Sequence, residues 1–277
     1  MTLIPRGWFV IRDSLPGKPS ECAGSLASDR DPGGCEFRLD LWQGESPERL
    51  PEEIGPALIT DRGGAQSAEA GARTARRDQW AQRPQSWIDV DPETDAPAPE
   101  GVAWILSKHL TMDQADAVST TVREAREKGA VAAKIVLPAE TSLRRRLEVI
   151  REAERSDFPV VAFALGTHNH ADRLWAREQG QAWGYVTDPS TATTLPGLPT
   201  SDEILHRYQW NDASADIDRY LILGADVRHS LTPDWHNALY AAKGIRARFY
   251  PWSTDQPQAD LQAWEEFGMP NRKSTRL

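Results

Sequence analysis

Two residues in the middle of the chain, His109 and Lys134, stand where chemistry is cheapest to build. The apolar run Trp104-Ile105-Leu106 stops at Ser107, Lys108 and His109, so the histidine falls where a buried strand would leave the core. Lys134 interrupts a second run, between Ala132-Ala133 and Ile135-Val136-Leu137. An ammonium inside such a run must pair, emerge at a mouth, or stay neutral and become nucleophilic. A neutral amine condenses with a ketone to give a Schiff base, and an imidazole titrating near neutrality can move the proton that the iminium acidifies. Each residue taken singly has a plainer role: a satisfied strand-end histidine, and a lysine that reaches an edge along its own stem.

The elements around the pair sharpen the reading. Residues 104–138 read strand, helix, strand, and the right-handed crossover of such a unit would put both side chains at one end of the sheet. Further strands read at residues 8–11, 35–42, 56–62, 85–92, 158–166 and 182–189, and the strand that carries His109 begins at Val102. Glu36, Arg38 and Asp40 share a face of the second of these. Helices are expected at 46–55 with Ser46 as cap, and at 64–82, 111–129, 141–156 and 170–180. A closing helix at 200–209 would be capped by Thr200 or Ser201. The Pro-rich stretch 92–101 is too broken for a helix. Eight strands alternating with mostly helical segments over residues 8–210 predict a (β/α)8 TIM barrel of the α/β class, with its chemistry at the C-terminal strand ends. A doubly wound open sheet is the alternative. After a polar linker, strand, loop, helix and strand start again at Arg219, and the tail beyond Trp252 shows no clear element. This small C-terminal α/β fragment is too short to bury a full core and is expected either to be loosely ordered or to rest on the barrel.

Composition narrows the function classes. A formal charge of -9 and a pI near 5.2 argue against nucleic-acid or membrane-surface binding and leave a small-molecule substrate as the expected partner. The two cysteines, Cys22 and Cys35, imply no disulfide framework, so a reducing, cytoplasmic setting is the expectation. No apolar run approaches the roughly 20 residues of a membrane span, and the first residues lack the pattern of a signal peptide. The eleven tryptophans are scattered and read as core and loop filler. His168-Asn169-His170 lacks carboxylate or cysteine partners at ligand spacing, so no metal is expected there. A monomer and a homodimer both remain open.

The motifs, taken in order, carry a resemblance. Glu36-Phe37-Arg38-Leu39-Asp40, Thr60-Asp61-Arg62, Ser107-Lys108-His109, Ala133-Lys134-Ile135 and the segment from Phe163 to Arg173 together resemble type I 3-dehydroquinate dehydratase, a (β/α)8 enzyme of the shikimate pathway. The resemblance covers residues 1–211 and implies a lyase without cofactor or metal. It implies Lys134 as the Schiff-base lysine and His109 as the base that later acts as acid. Arg62 and Arg173 would hold substrate, with Glu36 and Arg38 shaping the mouth and Thr194 supplying the hydroxyl of a closing loop. Two positions depart from the family: Gln66 stands where it has a glutamate, with Glu69 three residues late, and Leu198 replaces a glutamine.

The second unit, residues 219–277, resembles the opening of shikimate dehydrogenase. Gly224 to Pro233 with His236-Asn237 carries that likeness, which implies Ser230 and Thr232 as contacts for a shikimate carboxylate. The family's catalytic lysine segment and nucleotide domain do not occur in these residues, so hydride transfer is not expected. Two other readings stay open: a different Schiff-base barrel of aldolase type, and a catalytically impaired protein that binds a shikimate-pathway ligand.

Overall fold

The computed structural model describes residues 7–12, 33–42, 48–51, 54–62, 69–111, 116–166, 169–188, 197–210 and 217–269. Ser46, Gln66, His168, Thr194 and Cys22 lie outside these. Eight parallel strands, β1 Gly7–Arg12, β2 Gly34–Arg38, β3 Ala57–Thr60, β4 Ser86–Val90, β5 Trp104–His109, β6 Ala132–Leu137, β7 Val160–Ala164 and β8 Trp183–Thr187, curl into a nearly closed barrel. Helices α1 Ala70–Trp80, α2 Ala117–Glu127, α3 Leu143–Glu154 and α4 Ala171–Glu178 alternate with them. The (β/α)8 expectation is therefore met.

Period-2 alternation sorts the strand residues into two shells. Phe9, Ile11, Leu58, Trp87, Ile105, Ala132, Val136, Val161, Phe163, Trp183 and Tyr185 form one cluster, which fills the barrel. Leu106, Ala133, Ile135, Leu137 and Ala162 pack outward with the apolar stripes of α2 and α3. Both faces of the sheet are thus covered, which is why β7 reads as an unbroken apolar run and β6 as one broken only by Lys134.

Local details differ from the sequence expectation in four places. Asp40 is not on β2; the strand ends at Arg38 and a 3-10 turn at Leu39–Leu41 carries Asp40 round to pair with Arg38. Among the described residues of 46–55 there is no helix. The closing helix starts with Ser201 and Asp202 and runs on as a π turn, Glu203–Arg207, and Thr200 caps its start: the Thr200 hydroxyl accepts from the Glu203 amide at 3.1 Å and the Glu203 carboxylate accepts from the Thr200 amide at 2.9 Å. Cys35 is buried and disulfide-bonded, where the sequence had implied no such framework.

The strand order runs 7-6-5-4-3-2-1-8, so β7 and β8 are the two ends of the sheet and share no ladder. Two contacts span that gap. The buried Gln181 carboxamide accepts from the Ala162 amide and donates to the Ala162 carbonyl, each at 3.3 Å, standing in for a strand neighbour. Inside the barrel, Phe163 meets Tyr185 edge-on with ring centroids 5.4 Å apart.

The second unit is β9 Asp218–Gly224, α5 Thr232–Lys243, β10 Ala247–Ser253 and α6 Pro257–Glu266, with β9 and β10 pairing in parallel. Helix α6 was not expected, although Pro257 at its start is the usual opening residue. Of the two alternatives, the structure shows the second: the unit rests on the barrel. Leu221, Tyr250, Trp252, Ala263, Trp264 and Met269 share one buried cluster with Trp8, Leu147, Ile150, Leu174, Trp175 and Tyr208 of the barrel. Beneath that cluster the buried Glu178 of α4 accepts from Arg219 at 2.7 Å, from Tyr250 at 2.5 Å and from Arg248. Asn169 exchanges two hydrogen bonds with the Ser253 backbone, both 2.8 Å.

Candidate active site

Above the apolar filling of the barrel, five buried polar residues point the same way: Glu36 of β2, Thr60 of β3, Asp89 of β4, Ser107 of β5 and Lys134 of β6. Ser107 and Lys134 are direct neighbours across the β5/β6 ladder, and His109 pairs with Val136, one pleat nearer the C-terminal mouth. Consecutive parallel strands thus bring His109 and Lys134 to one end of the barrel, as the crossover argument required. His109 itself is exposed, while Lys134 is only 7% exposed.

Burial of a lone ammonium at that depth would cost several kcal/mol. Lys134 is compensated: Nζ lies 2.6 Å from Asp89 Oδ2 and 3.7 Å from Glu36 Oε1, with the Tyr185 ring centroid 4.8 Å away. Glu36 is held by the Thr60 hydroxyl, which donates to its Oε1 at 2.7 Å. Asp89 is the hub, since its other oxygen accepts from Arg62 at 2.6 Å. Burial by itself would raise the Asp89 pKa, but the charges of Arg62 and Lys134 outweigh it and hold the carboxyl well below the usual range. Arg62 also binds Asp95, so both ends of its fork are occupied by carboxylates, and these overcome its burial and raise its pKa.

Partial burial lowers the pKa of His109, and the cations Arg62 and Lys134 lower it further, which favours the neutral, proton-accepting imidazole. Tyr185 is pushed the opposite way, up, by burial and by the negative charges of Glu36 and Asp89.

Arg173 comes to the same barrel from the start of α4. Its guanidinium lies 4.5 Å from the Phe163 ring centroid and donates one bond, to the Ala164 carbonyl at 2.5 Å, while Nε is buried with no partner. Burial lowers its pKa to about 10, against the pull of Asp172. The guanidinium is thus left with one donor short of an acceptor. Arg38 is less available, being bidentate with Asp40 at 2.9 and 2.6 Å. Leu198 packs against the barrel-filling cluster.

The remaining candidates lie elsewhere. Ser230 and Thr232 sit at the start of α5 in the second unit, and the Ser230 hydroxyl accepts from the Thr232 amide at 3.2 Å. His170, of the histidine pair, faces Tyr208 at 3.5 Å. Sequence reasoning passed over Asp89, Asp95 and Tyr185. A signal for Asp89 existed: in Trp87-Ile88-Asp89 the alternation puts the acid on the inward face with Trp87, the same anomaly that singled out Lys134.

No family model matches the chain. Among curated proteins, the chloroplastic bifunctional 3-dehydroquinate dehydratase/shikimate dehydrogenase of Arabidopsis thaliana is 24% identical over 110 residues, which cover 40% of this chain and 18% of that protein. Among solved structures, the dehydroquinate dehydratase and shikimate dehydrogenase of S. pombe aligns with a TM-score of 0.52 at 18% identity, over 90% of this chain and 53% of its own. A type I 3-dehydroquinate dehydratase from Clostridium difficile aligns at 0.49 and 16% identity, over 72% of this chain and 90% of its own. The chain thus spans about half the length of the S. pombe protein. What it shares with that structure is the fold.

Proposed function

We propose that the chain is a lyase that dehydrates 3-dehydroquinate to 3-dehydroshikimate through a Schiff base on Lys134. The observation that carries the reading is a buried lysine set between two carboxylates at the barrel mouth, with a neutral-leaning histidine one pleat above it and an arginine with an open donor beside it. The Lys134 ammonium gives up a proton to water at the mouth, the freed amine adds to the C3 ketone, and a proton returns to the carbinolamine hydroxyl, which leaves as water as the iminium forms. His109 takes the C2 proton, the electron pair closes the C1–C2 double bond, and the C1 hydroxyl leaves with a proton returned by the same imidazole. Hydrolysis of the imine frees the product. Arg173 takes the ring carboxylate. Asp89 orients the amine rather than accepting its proton, because its own carboxyl lies too low. The reaction needs no cofactor.

Borohydride added with substrate or product should leave a reduced adduct on Lys134, located by mass spectrometry; turnover without any such adduct would remove the mechanism. His109→Ala should still form the adduct but slow the appearance of the conjugated enone by roughly a hundredfold. The packing of Leu198 on the barrel interior favours one rival, a ligand-binding protein with little turnover. Trapping without enone formation in the unaltered chain would select it.

A further inference from the structure

The connection after β4 carries no helix, and it is where the barrel gains an acid. We infer that Asp95, in this connection, is a positioning residue of the site: it clasps Arg62 from outside and so fixes the charge that His109 and Lys134 face. The inference deepens the lyase reading, and only its kinetic test rests on that reading.

Arg62 has one nitrogen on Asp89 Oδ1 at 2.6 Å and the other on Asp95 Oδ2. The Asp95 side chain is 5% exposed, so this is no surface pair. It has its own support, because Asp95 Oδ2 accepts from the Asp91 amide at 2.8 Å and Oδ1 accepts from the Thr94 hydroxyl at 3.1 Å. The strand-to-strand connection behind it is pinned in turn. The buried Arg77 of α1 donates to the Ala96 carbonyl at 2.7 Å and to the Pro97 carbonyl at 2.8 Å.

Asp89 is shared between two cations, Lys134 on one oxygen and Arg62 on the other. A second carboxylate on Arg62 offsets its charge, so Asp89 can serve Lys134. The groups that bear on His109 are Arg62 just past β3, Lys134 from β6, Asp89 from β4 and Asp91 just past it. Glu36, on the neighbouring strand β2, bears on Arg62. Removing the charge of Asp95 leaves Arg62 undercompensated, and a more positive Arg62 repels the imidazolium of His109.

The test uses the full chain with Asp95→Asn, Asp95→Ser and Asp95→Glu. The ring signal of His109, assigned by its loss in His109→Asn, is followed against pH by NMR, which requires no catalysis. Both neutral variants should titrate lower than the unaltered chain by on the order of half a pH unit, and Asp95→Glu should return the midpoint. The acid limb of kcat/KM should move the same way with KM little changed. The serine variant leaves room for water beside Arg62, so a fold failure of the asparagine variant does not end the test. An unchanged His109 midpoint in a folded neutral variant overturns the inference, whatever the chain catalyses. A moved midpoint in a chain that turns over no 3-dehydroquinate supports the clasp and counts against the lyase reading alone.

Discussion

The molecule buries two carboxylates between pairs of cations, and they differ in what is left over. Glu178, at the seam with the second unit, takes bonds from Arg219, Arg248 and Tyr250, and no member of that group carries a buried polar atom without a partner. Asp89, in the barrel, takes bonds from Lys134 and Arg62, yet the layer around it holds the partnerless Ser107 hydroxyl and Arg173 Nε. Buried charge is equally conspicuous in both places. The unfilled capacity differs in kind: around the seam it lies on the indole nitrogens of Trp8 and Trp264, whereas in the barrel it lies on a hydroxyl and a guanidinium, the groups that can hold a polar ligand.

The contrast breaks first at the lysine. Lys134→Met should abolish the borohydride adduct altogether and, because Arg62 stays on Asp89 and the Thr60 hydroxyl on Glu36, should cost less stability than a variant at the seam. Unfolding in urea measures the second half, and a loss as large as that of a seam variant would erase the distinction. Glu178→Gln should behave inversely: breaking one partner of a closed buried network costs about 3–5 kcal/mol, with activity per folded molecule unchanged.

A third test uses acid. Asp89 has a folded pKa below its unfolded value of about 3.9, so its contribution to stability is full above that value and is lost as pH falls through the folded one. Stability should therefore decline between about pH 5 and pH 2, and the decline should be shallower in Asp89→Asn. An identical slope would assign acid sensitivity to other groups. The smallest effect is expected at the π turn, where Thr200→Ala removes the reciprocal cap and should cost about 1 kcal/mol by the same urea measurement.

How much of this was legible in the sequence depends on the range of each interaction. Strand and helix order, and the placing of His109 and Lys134 at one barrel end, follow from periodicity and crossover hand, which are local or nearly so. The partner of Lys134 is 45 residues away and that of Arg62, Asp95, is 33 residues away in a stretch read as mere connection. No period relates such pairs. Asp40 was misplaced because alternation says nothing about where a strand stops. Helix α6 was missed because its buried residues, Ala263 and Trp264, make too narrow a stripe to register beside a polar majority. The second unit looked too small to hold itself together because its core is lent by α3, α4 and β1.

The break between β7 and β8 gives the barrel a beginning and an end, in the manner of a belt rather than a ring. A closed ring of ladders must lose hydrogen bonds anywhere it opens, whereas a belt opens at its buckle. Here the buckle is one side-chain amide and one aromatic pair. Tyr185 and Phe163 are also the rings over which Lys134 and Arg173 lie. Loosening the buckle would slacken the grip on both cations at once, and a molecule bound to both would fasten it. Amide exchange along β7 is where that fastening would register, as slower opening of the free edge when the site is filled.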